Sequence, residues 1–97
     1  MTFAPLSAAL EKYAEKDMAR FHMPGHKGRL EGVLSAAAPY DITEVAGADS
    51  LYESAGPIAA MEARYAELYG AGASLLSAGG STLCIQAMIT LAVPEGG

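Results

Sequence analysis

Tryptophan is absent from this chain, phenylalanine occurs only twice, and a single cysteine, Cys84, stands alone. One thiol excludes an intrachain disulfide and the stapled framework of a small secreted domain, so a reducing compartment, the cytoplasm, is the expectation. Cations are also scarce: six Lys and Arg stand against eleven Asp and Glu, for a net charge of −5. A surface of that sign is not built to neutralise nucleic-acid phosphates or to lie on anionic lipid. No apolar run approaches the ~18 residues of a membrane span, because Ser, Gly or a charge interrupts every candidate. The first sixteen residues lack a basic leader and carry Glu11 and Glu15 where an export signal would be uncharged. Neither nucleic acid nor a membrane is expected as a partner.

What is present is a composition suited to burial, 52% hydrophobic and 18% charged, which argues against disorder. A length of 97 residues allows one domain at most. Leu6, Ala9, Leu10, Tyr13 and Ala14 recur at helical spacing opposite Glu11, Lys12, Glu15 and Lys16, and Pro5 suits a first turn, which predicts a helix over 6–17. The Pro-Gly pair and closing glycine of Phe21–Gly28 predict a loop. Residues 29–56 read as mostly irregular, with Pro39, Gly47 and Gly56 as breaks and Asp41, Thr43 and Asp49 as local caps. Pro57 opens a second helix over 58–69, with an apolar stripe of Ile58, Met61, Tyr65, Leu68 and Tyr69, with Glu62, Arg64 and Glu67 facing away, and with Gly70 as its stop.

The short apolar run Ala73–Ser77, bounded by glycines, predicts a buried strand over 74–77. A third helix follows over 82–92, apolar almost throughout and therefore expected to be buried on most of its surface, with Cys84 packed inertly inside it. Strand, glycine turn and helix form the opening of an α/β unit that lacks its second strand, so the fold expectation is a truncated α/β start of about three helices and one short strand.

Between the predicted strand and helix, Ser77-Ala78-Gly79-Gly80-Ser81-Thr82 has what a phosphate needs: free N–H groups at a helix start, the positive end of the helix dipole, and two hydroxyls. The competing reading is that Ser81 only caps the helix. A nucleotide P-loop is excluded because Gly80, not Lys, precedes Ser81, and the dinucleotide pattern fails at Leu75. His22 and His26 do not form a zinc pair in this reading, since Pro24 and Gly25 break the helix that would align them and there is no further His, nor a Cys other than the distant Cys84, to complete a tetrahedral set. No metal is expected. Lys27 reads more readily as a solvated loop lysine than as a Schiff-base amine.

Phe21-His22-Met23-Pro24-Gly25-His26-Lys27-Gly28, Asp41-Ile42-Thr43-Glu44, Asp49-Ser50-Leu51, Tyr69-Gly70-Ala71 and Gly80-Ser81-Thr82 together resemble, in order and spacing, the N-terminal part of the ornithine/lysine/arginine decarboxylase family. The resemblance spans nearly the whole chain, and its specific element is Pro-Gly-His-Lys-Gly. It implies the large domain of an aspartate-aminotransferase-like fold, pyridoxal phosphate as cofactor, and Gly80, Ser81 and Thr82 as the cradle of its phosphate. Residues 1–56 would be an N-terminal helix and loop segment, and 57–97 the start of the cofactor-binding domain. Gly25, His26 and Lys27 would help shape an active site, either this subunit's or that of a partner subunit in a homodimer or larger assembly.

The departures bear on activity. Ala78 and Gly79 stand where an Asn-Gly approach to the phosphate turn is usual. The family's ring-stacking residue, its aspartate for the pyridine nitrogen and its Ser-x-His-Lys lysine have no counterpart in this chain. No catalytic residue is therefore assigned, and the 97 residues alone are expected to be inactive while the parent decarboxylates a basic amino acid. An aminotransferase or a sulfur amino-acid lyase remains open as an alternative, as does a non-enzymatic anion-binding or assembly module.

Overall fold

The computed structural model describes residues 4–97. Three α-helices are present, α1 (Pro5–Ala14), α2 (Pro57–Tyr69) and α3 (Gly80–Ala92), with single 3-10 turns at Gly32–Leu34 and Ala38–Tyr40. Pro5 and Pro57 sit in the first turns of α1 and α2, where a missing N–H costs nothing. α1 ends at Ala14, short of the expected boundary, because the Lys16 amide turns back to the Tyr13 carbonyl at 3.1 Å and tightens the exit. Gly70 adopts the left-handed conformation (φ 62°) that stops α2, and the Ala71 amide closes on the Ala66 carbonyl.

The expectation of an α/β fold is corrected: among the described residues there is no strand. Ala73–Ser77 is irregular, with no partner segment beside it to form a ladder. A pleated pattern needs a neighbouring strand for its N–H and C=O groups. The Leu76 amide instead donates to the Glu62 carboxylate.

α1 packs on α2 and on the second 3-10 turn. Among the described residues the buried apolar ones are few: Tyr13, Ala38 and Ala48. Burial of Tyr13 contributes roughly 1.5–3 kcal/mol by area, a large share in so small a core. Two other expectations change. Glu62, assigned to the outer face of α2, is 7% exposed, whereas Leu68 and Tyr69 of the proposed apolar stripe lie open to solvent. α3 is exposed along its whole length, Cys84 included, because no other element among the described residues forms a covering layer over it. No helix among the described residues is long and apolar enough to cross a membrane.

Candidate functional site

Two helix N-termini in this fold are treated in opposite ways. At α2, the donors left without intrahelical partners are the N–H groups of Gly56, Ile58 and Ala59, Pro57 having none. All three point to Oδ2 of Asp49, at 2.8, 2.9 and 3.3 Å, while Oδ1 accepts from Ser50 at 2.8 Å and Ala55 at 2.9 Å. Asp49 reaches them from a left-handed backbone (φ 76°), a conformation that aspartate tolerates better than most residues. The hydrogen bond from Ala55, reinforced by those from Ser50, Gly56 and Ala59 and opposed by partial desolvation, holds the Asp49 carboxyl well below the usual carboxylate range.

At α3 the corresponding donors are open. Gly79 is the N-cap residue, and no side chain among the described residues caps the helix. Its own N–H is taken by Ser77 Oγ at 3.1 Å. The three N–H groups that remain belong to Gly80, Ser81 and Thr82, and none has a protein partner among the described residues. Gly80 is left-handed (φ 81°), and apart from its chain neighbours and the backbone of its own helix nothing among the described residues lies within 4 Å of where a β-carbon would stand. Gly79 has no such room, since a β-carbon there would run into the Leu83 side chain. Ser81 is the second residue of the helix and not its cap, which removes the capping role as an account of its hydroxyl.

Glu62 anchors the segment that leads into the turn. Its Oε2 accepts from Ser54 Oγ and its Oε1 from the Leu76 amide, both at 3.0 Å, which ties the segment before α3 to the middle of α2.

The second candidate group is the loop around Met23–Gly28. His26 Nε2 donates to Asp41 Oδ2 at 2.9 Å, and its Nδ1 accepts the Gly28 N–H at 2.9 Å. Lys27 and Gly28 are consecutive left-handed residues (φ 59° and 79°), and Lys27 Nζ donates to the His22 carbonyl at 2.9 Å. Tyr13 Oη donates to His22 Nε2, whose Nδ1 donates to the Met23 carbonyl. The Arg20 guanidinium lies 4.9 Å from the centre of the Tyr13 ring and presses on Gly28 from the other side. Gly25 is exposed and has nothing within 4 Å of where its β-carbon would be. Five of the six basic side chains, Lys12, Lys16, Arg20, Lys27 and Arg29, precede Leu30, so this end of the chain is cationic within an acidic whole.

The structure thus keeps Gly25, His26 and Lys27 in one hydrogen-bonded loop and Gly80, Ser81 and Thr82 on one turn, and no hydrogen bond joins the two groups among the described residues. Sequence reasoning missed the partners: Tyr13, Arg20, Asp41 and Glu62. Asp41 and Asp49 were legible as local caps and as members of the motifs that carry the resemblance, but not as the partners of His26 and of the α2 N-terminus. A groove of about 410 Å³ between α1 and α2, lined by Leu6, Leu10, Met61, Arg64, Tyr65 and Leu68 among others, holds none of the candidate residues.

No known family profile matches the chain, and no solved structure does. It is 32% identical over 99 aligned positions to the uncharacterized protein YaaO of Bacillus subtilis (strain 168), an alignment that covers 96% of this chain and 20% of that protein. The chain thus spans about a fifth of the length of the curated relative it matches.

Proposed function

We propose that these residues form part of a pyridoxal-phosphate-dependent decarboxylase of a basic amino acid (arginine, lysine or ornithine), in which Gly80, Ser81 and Thr82 hold the phosphate of the cofactor. The observation that carries this reading is the contrast between the two helix starts. An anion fills the N-terminus of α2 from within the chain, whereas at α3 three adjacent N–H groups and two hydroxyls have no such anion. A phosphate dianion suits that donor set, which adds the positive end of a 13-residue helix to neutral and charge-assisted hydrogen bonds.

When bound, pyridoxal phosphate supplies a sink for the electron pair left behind as the substrate carboxylate departs as carbon dioxide. This chain's part is to bind and orient: the turn fixes the phosphate, and Glu62 ties the segment that leads into the turn to α2. Gly25, His26 and Lys27 shape the rim of an active site, in a homodimer or larger assembly that of the partner subunit. The Schiff-base lysine and the pyridine-nitrogen partner belong to the rest of the whole protein, whose compartment in this reading is the cytoplasm.

The test is a titration of pyridoxal phosphate into the folded whole protein, with absorbance following the imine. Thr82→Ala removes a charge-assisted bond of about 1.5–3 kcal/mol, so cofactor affinity falls roughly 10- to 100-fold. Gly80→Val falls further, because a β-branched residue resists φ near 81°. Equal affinity in wild type and both variants refutes the phosphate cradle.

One observation favours a second reading, that of a non-enzymatic assembly module. Leu83, Ile85, Met88, Ile89 and Leu91 of α3 are all exposed. A whole protein that binds no pyridoxal phosphate, and whose self-association is abolished by Met88→Glu, would replace the decarboxylase with this module.

A further inference from the structure

We infer that the Met23–Gly28 loop is a proton-sensitive latch, with His26 as its trigger. The geometry assigns the protonation of the ring. A backbone N–H can only donate, so Nδ1 must carry a lone pair toward Gly28, and Nε2 must carry the hydrogen that it gives to Asp41. The latch therefore closes on a neutral imidazole. When Nδ1 takes a proton from solvent, two N–H groups face each other across a distance set for one hydrogen bond, 2.9 Å, and the Gly28 amide loses its acceptor.

The groups around the ring determine which end lets go. Asp41, following the second 3-10 turn, gains an imidazolium to pair with and keeps the Nε2 end. From the loop itself, Lys27, His22 and Arg20 are cationic or can become so, and Arg20 bears directly on Gly28. From α1, Tyr13 and Lys16 lie behind Arg20 and His22, and Glu11 and Glu15 line the cleft against Pro39 and Tyr40, beside Asp41. The negative groups thus gather on the Asp41 side and the positive ones on the Gly28 side. Protonation pulls the ring toward Asp41 and releases Gly28. Two consecutive left-handed residues, Lys27 and Gly28, are then no longer held by that bond, and Lys27 is free to swing its ammonium off the His22 carbonyl.

Amide exchange and ring-proton NMR on the full 97-residue chain between pH 8 and pH 5 test this, spanning the range in which histidine ordinarily changes charge. The protection factor of the Gly28 amide, corrected for intrinsic pH dependence, should fall about tenfold toward pH 5, the loss of one hydrogen bond, in step with the His26 ring. His26→Asn keeps an acceptor that can take the N–H two residues on but does not titrate, so its Gly28 protection should be the same at both pH values. A wild-type Gly28 amide indifferent to His26 protonation overturns the latch, as does an equal loss in His26→Asn, a transition that follows the His22 ring, or a loss shared by the amides of α2, which would be general unfolding.

Discussion

Gly28 lies so close to Arg20 that a β-carbon built on it would stand 2.5 Å from Nη1 of the guanidinium. Two constraints meet at this glycine, its left-handed backbone and the cation pressed against it. Gly28→Ala is expected to cost about 1–3 kcal/mol from the backbone alone, and more from the overlap. Arg20→Ala loses its stacking on Tyr13, about 0.5–1 kcal/mol, but clears the space. Denaturant unfolding of the two single variants and the double variant should show the double variant less destabilised than the sum of the singles. Strict additivity would mean that Arg20 moves aside freely.

Asp49 links stability to pH. Its folded-state value is depressed, so its contribution is complete above the ordinary aspartate range, near 3.9, and is lost as pH falls from there toward the folded value. Thermal melts of wild type should lose stability below about pH 4. Asp49→Asn, which offers a single acceptor oxygen, should be less stable than wild type at pH 7 and should converge on it in acid. Parallel melting curves across that range would contradict the assignment.

Glu62 makes a different demand, because both its oxygens are used inside the fold. Glu62→Ala leaves the Leu76 amide and the Ser54 hydroxyl unpartnered and should cost about 1.5–3 kcal/mol. Glu62→Gln keeps an acceptor for Leu76 and can donate to Ser54, so it should cost under about 1 kcal/mol. Amide exchange at Leu76 should accelerate in the alanine variant and hardly change in the glutamine variant.

Cys84 is exposed on α3, so a soluble thiol reagent should label it in the native chain at close to the rate for the unfolded chain. Slow labelling that speeds up only in denaturant would mean that α3 is covered in solution.

The helices were legible in the sequence because Pro5, Pro57, Gly70 and the 3.6-residue apolar spacing act locally, and the backbone obeys them. The strand over 74–77 was misread for the converse reason: its pattern was local, but a strand exists only in partnership. Glu62 shows a third limit. A charged residue in a helix reads as solvent-facing unless its partners are known, and those partners, Ser54 and Leu76, lie in segments without periodicity. The turn at Gly80 could be located because glycine, hydroxyl and helix start are adjacent, whereas the ring of Tyr13, Arg20, His22, His26 and Asp41 depends on a loop path that no spacing rule encodes.

The side-chain hydrogen bonds have a consequence for the order in which the fold is made. Asp49 reaches no farther along the chain than Ala59, Glu62 no farther than Leu76, and His26 no farther than Asp41, fifteen positions on. Short loops close in roughly 10–100 ns, and closure cost grows with length, so these knots can tie themselves before distant segments meet. The docking of α1 on α2, more than forty residues apart in the chain, is the slow and nonlocal event. It adds the nonlocal packing to a loop and a turn whose own hydrogen bonds are already local, so the geometry of each candidate group rests on its near neighbours in the chain and not on the docking of the two helices.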